Sequence, residues 1–161
     1  MNFFDNLIDV EIKKNMGIYN LTDEFFCVFS NYLFNKDNKN ILIVVNSLFE
    51  ANNLYSSLSN YNENVYLFPM DDFLTSEAIA ASPDLKISRL ETLNQIISGK
   101  KCIVITNLMG YLRFLPKRDV YEQLTLRLKV GDVIEPSFLV EKLIACGYNR
   151  DTLVNKTGEF G

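Results

Sequence analysis

Ile41-Leu42-Ile43-Val44-Val45-Asn46-Ser47-Leu48-Phe49-Glu50 is the stretch on which the fold turns. Its first five residues are uninterruptedly apolar, the pattern of a strand buried on both faces. Asn46-Ser47 ends the run. Ser47 and Glu50 form a capping box, in which the serine oxygen accepts from an amide of the first helical turn and the glutamate reaches back to the entry of the helix. The spacing therefore predicts a strand over 41–45, then a helix from Leu48 with Leu48, Ala51, Tyr55 and Leu58 on its inner face.

The same grammar continues on both sides. Asn60 to Asn64 breaks the helix, Val65-Tyr66-Leu67-Phe68 reads as a second strand closed by Pro69, and Asp71-Asp72 opens an acidic loop. Ser82-Pro83 starts another helix, because serine accepts from an unpaired amide and proline at the first helical position loses no hydrogen bond. Ile87, Leu90, Leu93 and Ile97 recur on one face until Gly99 stops it. Cys102-Ile103-Val104-Ile105-Thr106 is the third strand, and Asn107 caps a short helix carrying Leu108, Leu112 and Leu115 that ends at Pro116. Upstream, Asn20 or Thr22 caps a helix whose aromatic stripe, Phe25, Phe26 and Phe29 with Leu33, reads as core. Strands alternating with amphipathic helices predict an α/β fold, a mostly parallel sheet covered by helices on both faces.

After Pro116 the pattern changes. Leu124, Leu126, Leu128 and Val130 alternate with polar residues as in a strand with one buried face, and Gly131-Asp132 marks a turn. Pro136 opens a helix with Leu139, Val140, Leu143 and Ile144 inward and Gly147 as its terminator. This places a domain boundary near Val120, with residues 1–120 as the α/β domain and 121–161 as the start of a small α+β domain. The tail Thr157-Gly158-Glu159-Phe160-Gly161 offers no closing helix or strand, so the second domain reads as truncated.

Composition narrows the function. The 161 residues carry a net charge of −4, with no cationic excess to neutralise phosphates, so DNA binding by this piece alone is not expected. The basic residues Arg113, Lys117, Arg118, Arg127 and Lys129 read as a solvated rim. Histidine is absent, which removes the commonest general base and metal ligand. Cys27, Cys102 and Cys146 are widely spaced and read as reduced, buried thiols. With no basic leader and no apolar run approaching about 18 residues, a cytoplasmic protein with no membrane association is expected.

A nucleotide-hydrolysing member of this fold class would carry G-x-x-x-x-G-K-[ST] ahead of the first sheet-covering helix. The matching place, Asn15-Met16-Gly17-Ile18-Tyr19-Asn20-Leu21-Thr22, has one glycine and no lysine. ATP binding by this domain is therefore disfavoured, and no catalytic residues and no cofactor are expected. Asp71, Asp72 and Glu77 read as an acidic loop in preference to a metal cluster. Because ligands of open α/β sheets bind beyond the carboxyl ends of the strands, Asn46, Asp71 and Asn107 would gather where a vestigial nucleotide pocket could persist. Arg89, on the polar side of its helix, is a candidate partner contact. Arg127, Lys129 and Arg150 are candidates for a surface facing an acidic partner.

Leu67-Phe68-Pro69-Met70-Asp71-Asp72, Ser76-Glu77-Ala78-Ile79-Ala80, Ser82-Pro83-Asp84-Leu85 and Arg89-Leu90-Glu91-Thr92-Leu93 follow one another in an order that resembles transcription-repair coupling factors. Leu115-Pro116, Leu128-Lys129-Val130-Gly131-Asp132, Gly147-Tyr148 and Gly158-Glu159-Phe160 extend the likeness, which spans Ile41 to Phe160. The module is also similar to the UvrB component of excinuclease ABC, a resemblance that implies a degenerate phosphate-loop NTPase fold for this domain, but that relative keeps a working phosphate loop and a long DNA-gripping hairpin after the second strand, where only a short link separates Pro69 from Ser82 here. The resemblance implies a protein that binds stalled RNA polymerase, moves it with an ATP-driven DNA translocase elsewhere in the full chain, and recruits the UvrA component of excinuclease ABC through this front end. It also places Glu159 and Phe160 near the UvrA contact, whose Arg-Gly pair would lie beyond Gly161. The alternatives are a nucleotide-dependent enzyme related to UvrB and an intramolecular module that holds the translocase in check.

Overall fold

The computed structural model describes residues 12–72, 83–156 and 158–161. The chain divides into two compact units, residues 1–113 and 114–161.

In the first unit, helix α1 (Asp23–Lys36) precedes strand β1 (Ile41–Val45), helix α2 (Leu48–Ser59), strand β2 (Val65–Phe68), helix α3 (Pro83–Ile97), strand β3 (Ile103–Asn107) and the single turn α4 (Leu108–Tyr111). The three strands run parallel in the order β1-β3-β2, with Ile43 paired to Ile105 and Leu67 to the same residue from the other side. This is the expected α/β architecture, and β3 is its centre.

The period of two along each strand assigns the two faces. Ile43, Val65, Ile103 and Ile105 pack with Cys27 and Phe34 of α1 and Ala51 and Leu58 of α2. Phe68, Cys102 and Val104 form the opposite cluster, against which Tyr66 and Leu93 of α3 pack. Thr22, and not Asn20, caps α1, its side chain accepting from the Phe25 amide, while Asn20 sits at positive φ before it. The aromatic stripe is only partly core: Phe29 is buried, whereas Phe25 stays exposed and stacks on it with centroids 6.4 Å apart. Ser47 caps α2 as expected, accepting from the Glu50 amide at 3.2 Å, and the Glu50 carboxylate returns to the amide of Asn46 at 2.9 Å, one residue earlier than a capping box requires.

Three further expectations for this unit need correction. β1 is not buried on both faces, since Leu42 and Val44 on the face away from Ile43 are exposed. The inner face of α3 is not centred on Leu90, which is 50% exposed, but on Thr92, which is fully buried. Its hydroxyl lies 2.7 Å from the Leu67 carbonyl and 2.9 Å from that of Ser88, so a polar residue is satisfied at the sheet. The helix after Asn107 is a single turn ending at Tyr111, and Leu108, Leu112 and Leu115 are all exposed.

The second unit holds α5 (Arg118–Gln123), α6 (Pro136–Ala145) and the two-residue strands β4 (Asn149–Arg150) and β5 (Glu159–Phe160), paired in parallel. The alternating segment Leu124–Val130 is not a strand. Among the described residues it has no partner ladder, and Leu124, Leu128 and Val130 remain exposed. Gly131 does turn the chain, at φ 99°, with the Lys129 amide donating to Asp132 at 2.8 Å. Pro136 opens α6 and Gly147, at φ 86°, follows its end; Leu139, Val140 and Leu143 are partly covered while Ile144 is exposed. The tail, expected to lack any closing element, contains β5.

Candidate functional site

The carboxyl ends of parallel strands are where open α/β folds bind ligands, and in this chain that edge is tied by a side-chain knot. Asn107 ends β3 and is fully buried. Its Oδ1 accepts from the amides of Met70 (3.1 Å) and Gly110 (3.3 Å). Its Nδ2 donates to the Met70 carbonyl and to Asp72 Oδ1, both at 2.7 Å. The Asp72 carboxylate in turn accepts from the Leu48 amide, 2.9 Å from either oxygen, at the start of α2. Thr106 closes the knot from below, its hydroxyl 2.7 Å from the Phe68 carbonyl. Gly110 is required here, because a Cβ on it would lie 2.2 Å from Thr106 Oγ1 and 2.9 Å from the Phe68 carbonyl oxygen.

Of the three residues expected to gather at this edge, only Asn107 does so through its side chain. Asn46 contributes its backbone amide to Glu50, and the acid that meets Asn107 is Asp72, one residue past Asp71. An α-helix N-terminus attracts anions through its unpaired amides and dipole. At α2 the chain's own carboxylate holds that position. No set of acidic or cysteine side chains converges as metal ligands among the described residues, and Glu77 lies outside them.

Arg89 is half-buried beside the knot, and its Nη1 donates to the Pro69 carbonyl at 2.8 Å. Burial lowers the pKa of its guanidinium, the nearby Arg113 adds to that, and Asp71 opposes it. The side chain thus closes the end of β2.

A groove opens at the same end of the unit, between α1 and α2. It encloses about 350 Å³ over a floor of Cys27, Val45 and Leu54, with Phe26 and Phe49 as walls and Asp23 and Glu50 among its polar lining. Burial, reinforced by the charges of Asp23 and Glu24, pushes the Cys27 thiol pKa up. Nothing in the sequence pattern marked this groove, since Phe49 lies off the inner stripe of α2.

In the second unit, Arg150, Glu159 and Phe160 are brought together by the β4–β5 ladder, in which Arg150 pairs with Phe160 and the Asp151 amide donates to the Phe160 carbonyl at 2.8 Å. Glu159 is turned inward on its own loop, its carboxylate accepting from the amides of Asn155 (3.0 Å) and Lys156 (3.1 Å). Arg150 lines an open depression with Asp151, Thr152 and Gly161. Arg127 and Lys129 are exposed on the segment before α6, away from any ladder. The Tyr121 pKa is raised by burial, and the charge of Arg127 works against that rise.

Comparison with known proteins adds a consistent set of relatives. The chain is 33% identical over 135 residues to a transcription-repair-coupling factor of Bacillus subtilis, covering 83% of this chain and 12% of that protein. It is 30% identical over 161 residues to one of Staphylococcus epidermidis, covering 99% of this chain and 14% of the relative. A third, from Staphylococcus haemolyticus, is 29% identical over 159 residues, with 98% and 14% covered. The chain therefore spans about one seventh of the length of the relatives it matches, or less. No protein-family model matches it.

Proposed function

Because the chain belongs to the transcription-repair-coupling factor family, we propose that it forms a non-catalytic module of such a factor, one that recruits the UvrA component of excinuclease ABC to stalled RNA polymerase. The observation that carries this reading is the reach of the similarity, nearly the whole of this chain against a small share of each relative. ATP-driven translocation and the contacts to DNA and polymerase then belong to other parts of the whole protein, in the cytoplasm.

Two features support a non-catalytic role for the first unit, which we read as a degenerate NTPase-like domain. The stretch at 15–22 has no phosphate-binding lysine, and the anion position at the start of α2 is occupied by Asp72. For the second unit, the β4–β5 ladder gathers Arg150, Glu159 and Phe160, and Arg127 and Lys129 add exposed cations in the same unit. We assign these five to the partner surface of the second unit, and Arg89, in the first unit and less accessible, to a separate partner contact.

The test is binding of purified UvrA to this chain and to a version extended at its carboxyl end, over a range of salt. Binding by the extended form, weakened by combined Arg127→Glu and Arg150→Glu, is the expected result. Binding untouched by both reversals would remove these arginines from the surface. Failure of the extended form to bind would turn the reading towards intramolecular regulation.

A further inference from the structure

The groove between α1 and α2, in the first unit, plays no part in the recruitment reading. Its chemistry is mixed in a specific way. The floor is apolar and partly covered, Phe49 projects 74% exposed at its edge, and among the described residues no lysine or arginine lines it, whereas Asp23 and Glu50 are both acidic. Acidic residues in a first turn are favourable for the helix itself, and Glu50 also accepts from the Asn46 amide. Neither role neutralises the groove for an incoming ligand. The rise in the Cys27 thiol pKa, caused first by burial and then by Asp23 and Glu24, reports the same negative field at its floor.

We propose that this groove seats one face of a cationic amphipathic helix from a partner protein, with apolar side chains against Phe26, Leu54 and Phe49 and lysine or arginine side chains at Asp23 and Glu50. A helix laid in a groove between two helices is a recurring mode of peptide recognition, read through apolar anchors one turn apart. The charge decides between occupants. The chain's own first eleven residues carry Asp5, Asp9 and Glu11 and no lysine or arginine, so they repeat the sign of the groove, and a second copy brings a net charge of −4. Complementary potentials steer association and exclude like-charged partners.

The probe is a pair of fluorescein-labelled synthetic amphipathic peptides with identical leucine and phenylalanine positions, one carrying lysine and the other glutamate at its polar positions. Anisotropy titration gives affinity, and amide shifts in the NMR spectrum locate the site. The lysine peptide is expected to bind, more weakly as salt rises, with shifts concentrated at residues 23–27 and 45–57. Phe49→Ala should weaken it about tenfold, as truncation of an anchoring aromatic does, and Asn53→Lys should weaken it by charge alone. Phe49 and Asn53 are both exposed, so each variant should keep the dispersed spectrum of the parent chain. Equal binding of both peptides, binding indifferent to both substitutions, shifts at another surface, no binding by either, or self-association through Phe49 would each overturn the proposal.

Discussion

Asn107 makes four hydrogen bonds with one buried amide group, two accepted and two donated. That use of both ends is what only asparagine offers at this position. Asn107→Ala would strand the Met70 amide and carbonyl and the Gly110 amide, so a loss on the order of 1–3 kcal/mol is expected in chemical unfolding, the cost of leaving buried groups unpaired. Asn107→Asp tests the donor side separately. Its carboxylate would face Asp72, and the two like charges repel. The deficit of this variant relative to the parent should therefore shrink as pH falls and one acid takes up a proton. A deficit that is flat with pH would mean that Nδ2 does not matter. The residue was legible in the sequence as a cap, which a short polar side chain after an apolar run announces. Its partner was not, because adjacent aspartates at 71 and 72 differ only in which one the loop after Pro69 aims at the helix.

At the scale of elements, local signals and packing signals differ in strength. Ser47→Ala removes one cap bond and should cost about 0.5–2 kcal/mol. Ile105→Ala empties a fully buried site on the central strand and should cost about 2–5 kcal/mol. Urea titration of both would check the ranking; a cap loss that exceeded the core loss would contradict β3 as the centre of the unit. The same contrast explains what could be read in advance. The three strands, their helices and the cap at Ser47 were evident because continuous apolar runs and capping residues act within a few positions. The inner face of α3 was not, because Thr92 is buried through a hydroxyl bond to Leu67, a distant carbonyl that no periodicity reveals. Leu124–Val130 alternates as a strand should, yet alternation states only which side chains could share a face, and a strand also needs a neighbour.

For the molecule as a whole, the two fully buried thiols lie on opposite faces of the sheet, Cys27 in one cluster and Cys102 in the other. Burial raises both pKa values above the ordinary 9.0. A thiol that holds its proton more tightly when folded adds stability below its unfolded pKa, and that stability is lost as pH rises towards and through the folded value. Thermal unfolding should accordingly be insensitive to these groups at neutral pH and fall in the alkaline range, less steeply in a Cys27→Ala, Cys102→Ala double variant compared with its own neutral value. An alkaline slope identical in the double variant would assign the effect elsewhere. The knot at Asn107 has a different reach. It fastens the end of β3, the loop after β2 and the start of α2 at one point, through bonds that each span 24 to 37 residues of chain. In mechanical language that is a rivet: tension entering the first unit through any one of the three is shared at once with the other two, and the unit should give way under load in one rip, with no strand peeling off alone.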